Sequence, residues 1–188
     1  MRQMERTDEH KLISRAKEGD MQAYEALIRK YEKSIYFLCH RMTNAHQAAD
    51  DLAQETFIKA YLSLHSFKEC MNFFTWIRKI AVNSTLNYLK SWKREESLGE
   101  NDTRISDRDY SPNPESPHQE LQRHQMEQKF KVALEALPPE QRAVFILRTY
   151  EDLNYSEIAQ SLNIPRGTVM SRLNRARKTL KALLSDYL

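Results

Sequence analysis

The densest run of residues able to hold an anion or read a base edge lies near the end of the 188-residue sequence. From Arg166 to Lys181 there are six basic residues and no acidic one, interleaved with Thr168, Ser171 and Asn174. Arginine bonds guanine bidentately and asparagine does the same with adenine, while Arg, Lys, Ser and Thr also bind phosphate. Arg166, Thr168, Ser171, Arg172, Asn174, Arg175 and Lys178 therefore form a candidate duplex-binding set. A second set follows the loop Phe67–Asn72, where Phe73, Phe74 and Trp76 cluster. Beyond them Arg78, Lys79, Asn83, Asn87, Lys90, Lys93 and Arg94 supply donors at helical spacing. Aromatic rings beside basic and amide groups suit an unstacked base. A third set, Asp50, Asp51, Gln54 and Glu55, is acidic. Asp51 and Glu55 are four apart and share one helical face, with Leu52 and Phe57 directed inward. Each set also has a plainer reading: charged faces are often merely solvated, and Trp76, Ile77 and Ile80 read as ordinary core.

Other chemistries find little support. Six histidines occur without the HExxH or comparable metal spacing, and three glycines form no phosphate-cradling loop. No cofactor, metal or catalytic residue is expected, and an enzyme is disfavoured. Cys39 and Cys70 follow no zinc or disulfide pattern and read as reduced thiols. The N-terminus is polar, without a signal-peptide core, and no run approaches the ~20 apolar residues of a membrane span. A cytoplasmic protein without membrane insertion is the expectation. A net charge of +3 favours a nucleic-acid partner only weakly.

The elements that must position these residues read as helices. Leu12, Ile13 and Ala16, then Tyr24, Leu27, Ile28 and Tyr31, then Ile35, Leu38 and Met42 recur at three- and four-residue spacing. Asn44 with Gln47 resembles a capping box opening a helix that buries Leu52, Ala53, Thr56, Phe57, Ala60 and Leu64. Asn72 is placed to cap the next, through to about Ser91. From Glu95 to Glu120 the pattern lapses: eight acidic and two basic residues give a local charge of −6, with Pro112, Pro114 and Pro117 close together. Such a stretch buries no core. Periodicity resumes with Leu121, Phe130, Leu134 and Leu137. Pro139 suits the first turn of a further helix. Asn154 with Glu157 forms a second capping box, Asn163 a left-handed turn, and Pro165 opens a helix whose inward residues are Val169, Leu173, Ala176 and Leu180. The reading is an all-α chain of two helical domains, 8–94 and 122–188, joined by a flexible acidic linker at 95–121, with a helix-turn-helix over 155–174.

Three segments carry a family resemblance: Asp50-DLAQETFIKAYLSLHSF, Phe73-FTWIRKIAVNSTLNYLKSWKR and the C-terminal NYSEIAQSLNIPRGTVMSRLNRARKTL. Taken in this order they resemble the extracytoplasmic-function (ECF) group of the sigma-70 family, over about 10–92 and 122–186. The resemblance implies a transcription initiation factor whose partners are core RNA polymerase, promoter DNA and an anti-sigma factor. It implies that Asp50, Asp51, Gln54 and Glu55 dock polymerase, and that Phe67, Asn72, Phe73, Lys79, Asn83, Asn87, Lys90 and Arg94 read and melt the −10 element. The helix-turn-helix set is implied to read the −35 element. Glu69 and Met71 depart from the family's usual loop, so its base preference does not carry over. The acidic linker fits both a nucleic-acid mimic and a plain tether. An ordinary helix-turn-helix regulator would leave the Asp50–Phe57 segment unexplained, and a small helical enzyme would lack its motifs.

Overall fold

In the computed structural model, which describes residues 2–68, 71–97 and 117–185, all regular structure among the described residues is helical. Helix α1 (Arg2–Lys17) is followed by Gly19, whose φ of +93° turns the chain into α2 (Met21–Thr43). Asp20 caps α2, its carboxylate accepting from Gln22 N at 2.9 Å and Ala23 N at 3.1 Å. These are two of the amide donors that a helix start leaves without intrahelical partners.

Asn44 departs from expectation. It is not the cap of the following helix but the left-handed end of α2, at φ 54°, with its N–H donating to His40 O. Asparagine tolerates that region better than most residues. Helix α3 (His46–Leu62) instead starts after Ala45, with no side-chain cap. The chain then makes a short 3₁₀ turn, Leu64–Ser66, before α4 (Phe73–Ser97). Here Asn72 does cap, Oδ1 accepting from Thr75 N at 3.0 Å. Tyr24 fastens α2 to α3, its hydroxyl donating to Phe57 O at 2.6 Å in the interior. Burial pushes the Cys39 thiol up to about 11, so it is a poor nucleophile at neutral pH.

The second half comprises α5 (Pro117–Glu135), α6 (Pro139–Thr149), α7 (Tyr155–Leu162) and α8 (Arg166–Leu183). The anticipated linker, 95–121, is trimmed at both ends. Helix α4 continues past residue 94, helped by Ser91 donating to Glu95 Oε1 at 3.1 Å. Pro117 opens α5, where its missing N–H costs nothing. Residues 98–116 of that segment, like Glu69 and Cys70 in the loop before α4, lie outside the described residues.

One apolar cluster runs through both halves. It joins Leu27, Leu38 and Met42 of α2, Leu52 and Phe57 of α3 and Ile77 and Val82 of α4 to Val144 and Leu147 of α6, Ile158 of α7 and Val169 of α8. A smaller cluster packs Ala133, Leu134 and Leu137 against Ala176 and Leu180 of α8. No described helix is long and apolar enough to cross a membrane.

Candidate nucleic-acid interface

The C-terminal helix pair is built by local chemistry. Asn154 Oδ1 accepts from Ser156 N at 2.9 Å and Glu157 N at 3.0 Å, while Glu157 Oε2 accepts from Asn154 N at 2.8 Å. The reciprocal box fixes where α7 starts. Asn163, at φ 52°, turns the chain, and Pro165 precedes α8. Val169, Leu173, Ala176 and Leu180 are buried, which settles which face of α8 is left outward. Arg166, Ser171, Asn174, Arg175 and Lys178 are exposed, and Thr168 and Arg172 half-buried. All seven sequence-predicted residues therefore sit on the accessible part of one helix. Arg148, passed over in the sequence, joins Arg166 around a shallow cleft at the start of α7 with Asn154, Tyr155 and Ser156. Its guanidinium is held there by Asp152 Oδ1 at 3.1 Å and Leu153 O at 3.3 Å. Its signal was faint: a single arginine on the helix before the motif.

Helix α4 carries the second set. Lys79, Asn83, Asn87, Lys90 and Arg94 recur at four, four, three and four residues and form one stripe, half-buried at Lys79 and exposed at the rest. The face turned from solvent holds Ile77, Ala81, Val82, Ser84 and Thr85. Two expected members are elsewhere. Phe67 and Phe73, anticipated as base-facing rings, are 2% and 1% exposed. They pack edge-to-face with centroids 5.5 Å apart, and each also meets Trp76. A close-packed core claims large apolar rings before solvent does, so these two shape the loop from beneath. Arg78 likewise leaves the donor face: it is 5% exposed and lies 5.1 Å from the Phe74 ring centroid. Asn72 remains exposed at the head of the stripe while its Oδ1 caps the helix. Lys17 braces the loop from α1, donating to Phe67 O at 2.9 Å.

The acidic set lies on α3. Asp50, Asp51 and Gln54 are exposed and Glu55 is half-buried, paired with Lys59 at 2.7 Å. His46 lies 3.4 Å from Asp50. The same stripe continues as Ile58, three residues beyond Glu55, and Leu62, four beyond Ile58, which are 61% and 76% exposed. Sequence reasoning counted only Asp50, Asp51, Gln54 and Glu55. The mixed face, acid at one end and apolar at the other, suits a protein partner better than solvent alone. Among the described residues no group of His, Cys, Asp or Glu is arranged to hold a metal.

Comparison with known proteins bears on all three surfaces. The sigma-70 region 2 family profile matches residues 27–95, and the sigma-70 region 4 profile matches residues 127–180. The RNA polymerase sigma-H factor of Pseudomonas aeruginosa is 33% identical over 96% of this chain and 95% of its own length. The ECF RNA polymerase sigma factor SigW of Bacillus subtilis is 32% identical over 94% of this chain and 96% of its own. Among solved structures, the sigma factor RpoE in complex with the anti-sigma factor NepR from Bartonella quintana aligns with a TM-score of 0.65 at 25% identity, covering 88% of this chain and 98% of that one. CnrH in complex with the cytosolic domain of CnrY aligns with a TM-score of 0.66 at 22% identity, covering 96% and 99%.

Proposed function

The chain belongs to the ECF group of the sigma-70 family, and from that premise we propose that it joins core RNA polymerase and directs promoter-specific initiation through three surfaces. The −35 element is read by α8, through Arg166, Thr168, Ser171, Arg172, Asn174, Arg175 and Lys178, with Arg148 added as a phosphate contact. The −10 element is read and opened along the α4 stripe of Asn72, Lys79, Asn83, Asn87, Lys90 and Arg94, with Phe67 and Phe73 positioning the loop beside it. Polymerase is docked by Asp50, Asp51, Gln54 and Glu55, extended by Ile58 and Leu62. The corresponding units are 8–94 and 122–188, regions 2 and 4 respectively. Bond making belongs to the polymerase, and this chain supplies recognition. An anti-sigma factor is proposed as a further partner, on the likeness to RpoE in its complex with NepR.

The observation that carries the reading is the coexistence of the α3 face with two base-reading helices. A helix-turn-helix alone suits many regulators. An exposed acid-and-apolar stripe on one helix and an amide-and-basic stripe on the next call for a partner in addition to DNA. Purified chain added to core polymerase should produce transcripts from discrete start sites. Asp51→Lys with Glu55→Lys should weaken polymerase binding while helical content stays constant. Transcription unaltered by the chain over a genomic promoter library would sink the assignment, and unchanged polymerase affinity in the double variant would remove the docking face.

A further inference from the structure

The connection from α3 into α4 is held at its two ends by different means. At the exit, Asn72 Oδ1 accepts from Thr75 N at 3.0 Å and fixes the start of α4. At the entry, the Phe67 ring is buried against Phe73 and Trp76, and the Phe67 carbonyl accepts from Lys17 Nζ at 2.9 Å. Lys17 lies 50 residues back along the chain, half-buried in the last turn of α1, with its ammonium 5.6 Å from the Phe67 ring centroid. Between these ends Met71 N donates to Lys68 O at 2.9 Å. Lys68, Met71 and Asn72 are exposed.

Helix α1 makes a second attachment nearby. Glu9 accepts from the Tyr31 hydroxyl at 2.6 Å and pairs with Lys30. The Tyr31 ring lies 5.3 Å from that of Phe74, nearly parallel at 16°, and 5.8 Å from that of Phe73. Burial, and then the hydrogen bond to Glu9, raise the Tyr31 pKa, so the hydroxyl stays a donor at neutral pH. Lys17 thus fixes the backbone where the connection begins, and Glu9, through Tyr31, fixes the aromatic pair where α4 starts.

A lysine usually lays its stem on apolar surface and leaves its head in water. Here the ammonium gives up part of that hydration for one main-chain carbonyl, in a charge-assisted bond stronger than a neutral one. Such an anchor matters most where backbone must be held to within about 0.5 Å, as at a site that discriminates ligands. We infer that α1 is a positioning element for −10 recognition: Lys17, aided by Glu9 through Tyr31, sets the backbone from which Lys68, Met71 and Asn72 meet an unpaired base. The inference rests on the assignment of the head of α4 to the −10 element. It goes beyond that assignment, because α1 carries none of the proposed DNA contacts.

The test uses the full chain reconstituted with core polymerase, on promoters whose −10 element is varied one base at a time. Opening is followed by permanganate reactivity, and discrimination is the ratio of opening on the preferred base to opening on the other three. Lys17→Met keeps the stem and removes the donor. It should lower that ratio several-fold at one or more −10 positions while −35 duplex affinity and polymerase affinity hold. Lys17→Arg, which restores a charged donor, should recover the ratio. The salt dependence of opening should match wild type in Lys17→Met. A lysine that itself bound phosphate would instead weaken every sequence alike and take its share of the salt slope with it. A uniform fall in opening on all promoters would therefore overturn the positioning role, whatever the salt slope, and so would an unchanged ratio. Should Lys17→Met lose helical content, Tyr31→Phe decides instead, since it keeps the ring and breaks the tie to Glu9. The ratio should fall there too, and a wild-type ratio in that variant would overturn the inference. Wild type that opens all −10 variants equally would remove the α4 assignment and the inference with it.

Discussion

Phe73 is 1% exposed, packed among Phe67, Trp76 and Tyr31, while Asn83, on the same helix, projects outward. Removing either side chain should impair promoter opening, but for opposite reasons. Phe73→Ala empties a packed site and should cost about 3–5 kcal/mol of stability. Asn83→Ala removes an exposed side chain and should stay within about 0.5 kcal/mol, while reducing −10 opening as followed by permanganate reactivity of unpaired thymines. Comparing each variant's urea midpoint with its opening yield separates the two roles. Equal stability losses would contradict the burial on which the distinction rests. Both residues were legible in the sequence as an aromatic cluster and an amide at helical spacing. Which rings went inside was not, because a run of Phe, Phe and Trp states hydrophobicity without stating a face. Arg78 was misjudged for the same reason: its environment is supplied by Glu151, far along the chain.

At the scale of elements, the parts read correctly were those determined within a few residues. The Asn154–Glu157 box, the positive φ of Asn163 and the Asn72 cap all occur where side-chain chemistry places them. Asn44 shows the limit. Its spacing to Gln47 matched a capping box, yet asparagine also tolerates the left-handed region, and here it ends a helix rather than starting one. The Asn154 box yields a direct prediction. Asn154→Ala leaves the Ser156 and Glu157 amides without their acceptor and should cost about 1 kcal/mol. Because α7 and α8 pack closely and α8 carries the base-reading side chains, −35 duplex affinity should fall in the same variant. Asn154→Asp should retain most of both. Full affinity in Asn154→Ala would mean that α8 is positioned by packing alone.

The whole molecule is governed by contacts that local reading could not reach. Nothing in its local sequence marks Arg142, yet it serves the ends of α2 and α5 and is 7% exposed. Burial lowers its pKa from the ordinary guanidinium range, with Glu135 working the other way, but a guanidinium stays charged at neutral pH. The acidic stretch of the sequence suggested two separate domains. An apolar cluster common to both halves gives the folding of those two domains a means of coupling. That coupling can be observed, because Trp76 and Trp92 both lie in the first half. In wild type, tryptophan fluorescence and far-ultraviolet circular dichroism should follow one urea transition, as a cooperative unit requires. Arg142→Ala strands buried carbonyls of both halves, at about 1–3 kcal/mol for each group left unpaired. It should pull the two transitions apart, the dichroism losing amplitude before the fluorescence as the second half melts from a first half that still holds Leu27, Leu38, Phe57 and Ile77 in its own core. Transitions that shift together in the variant would mean that the apolar contact alone welds the halves.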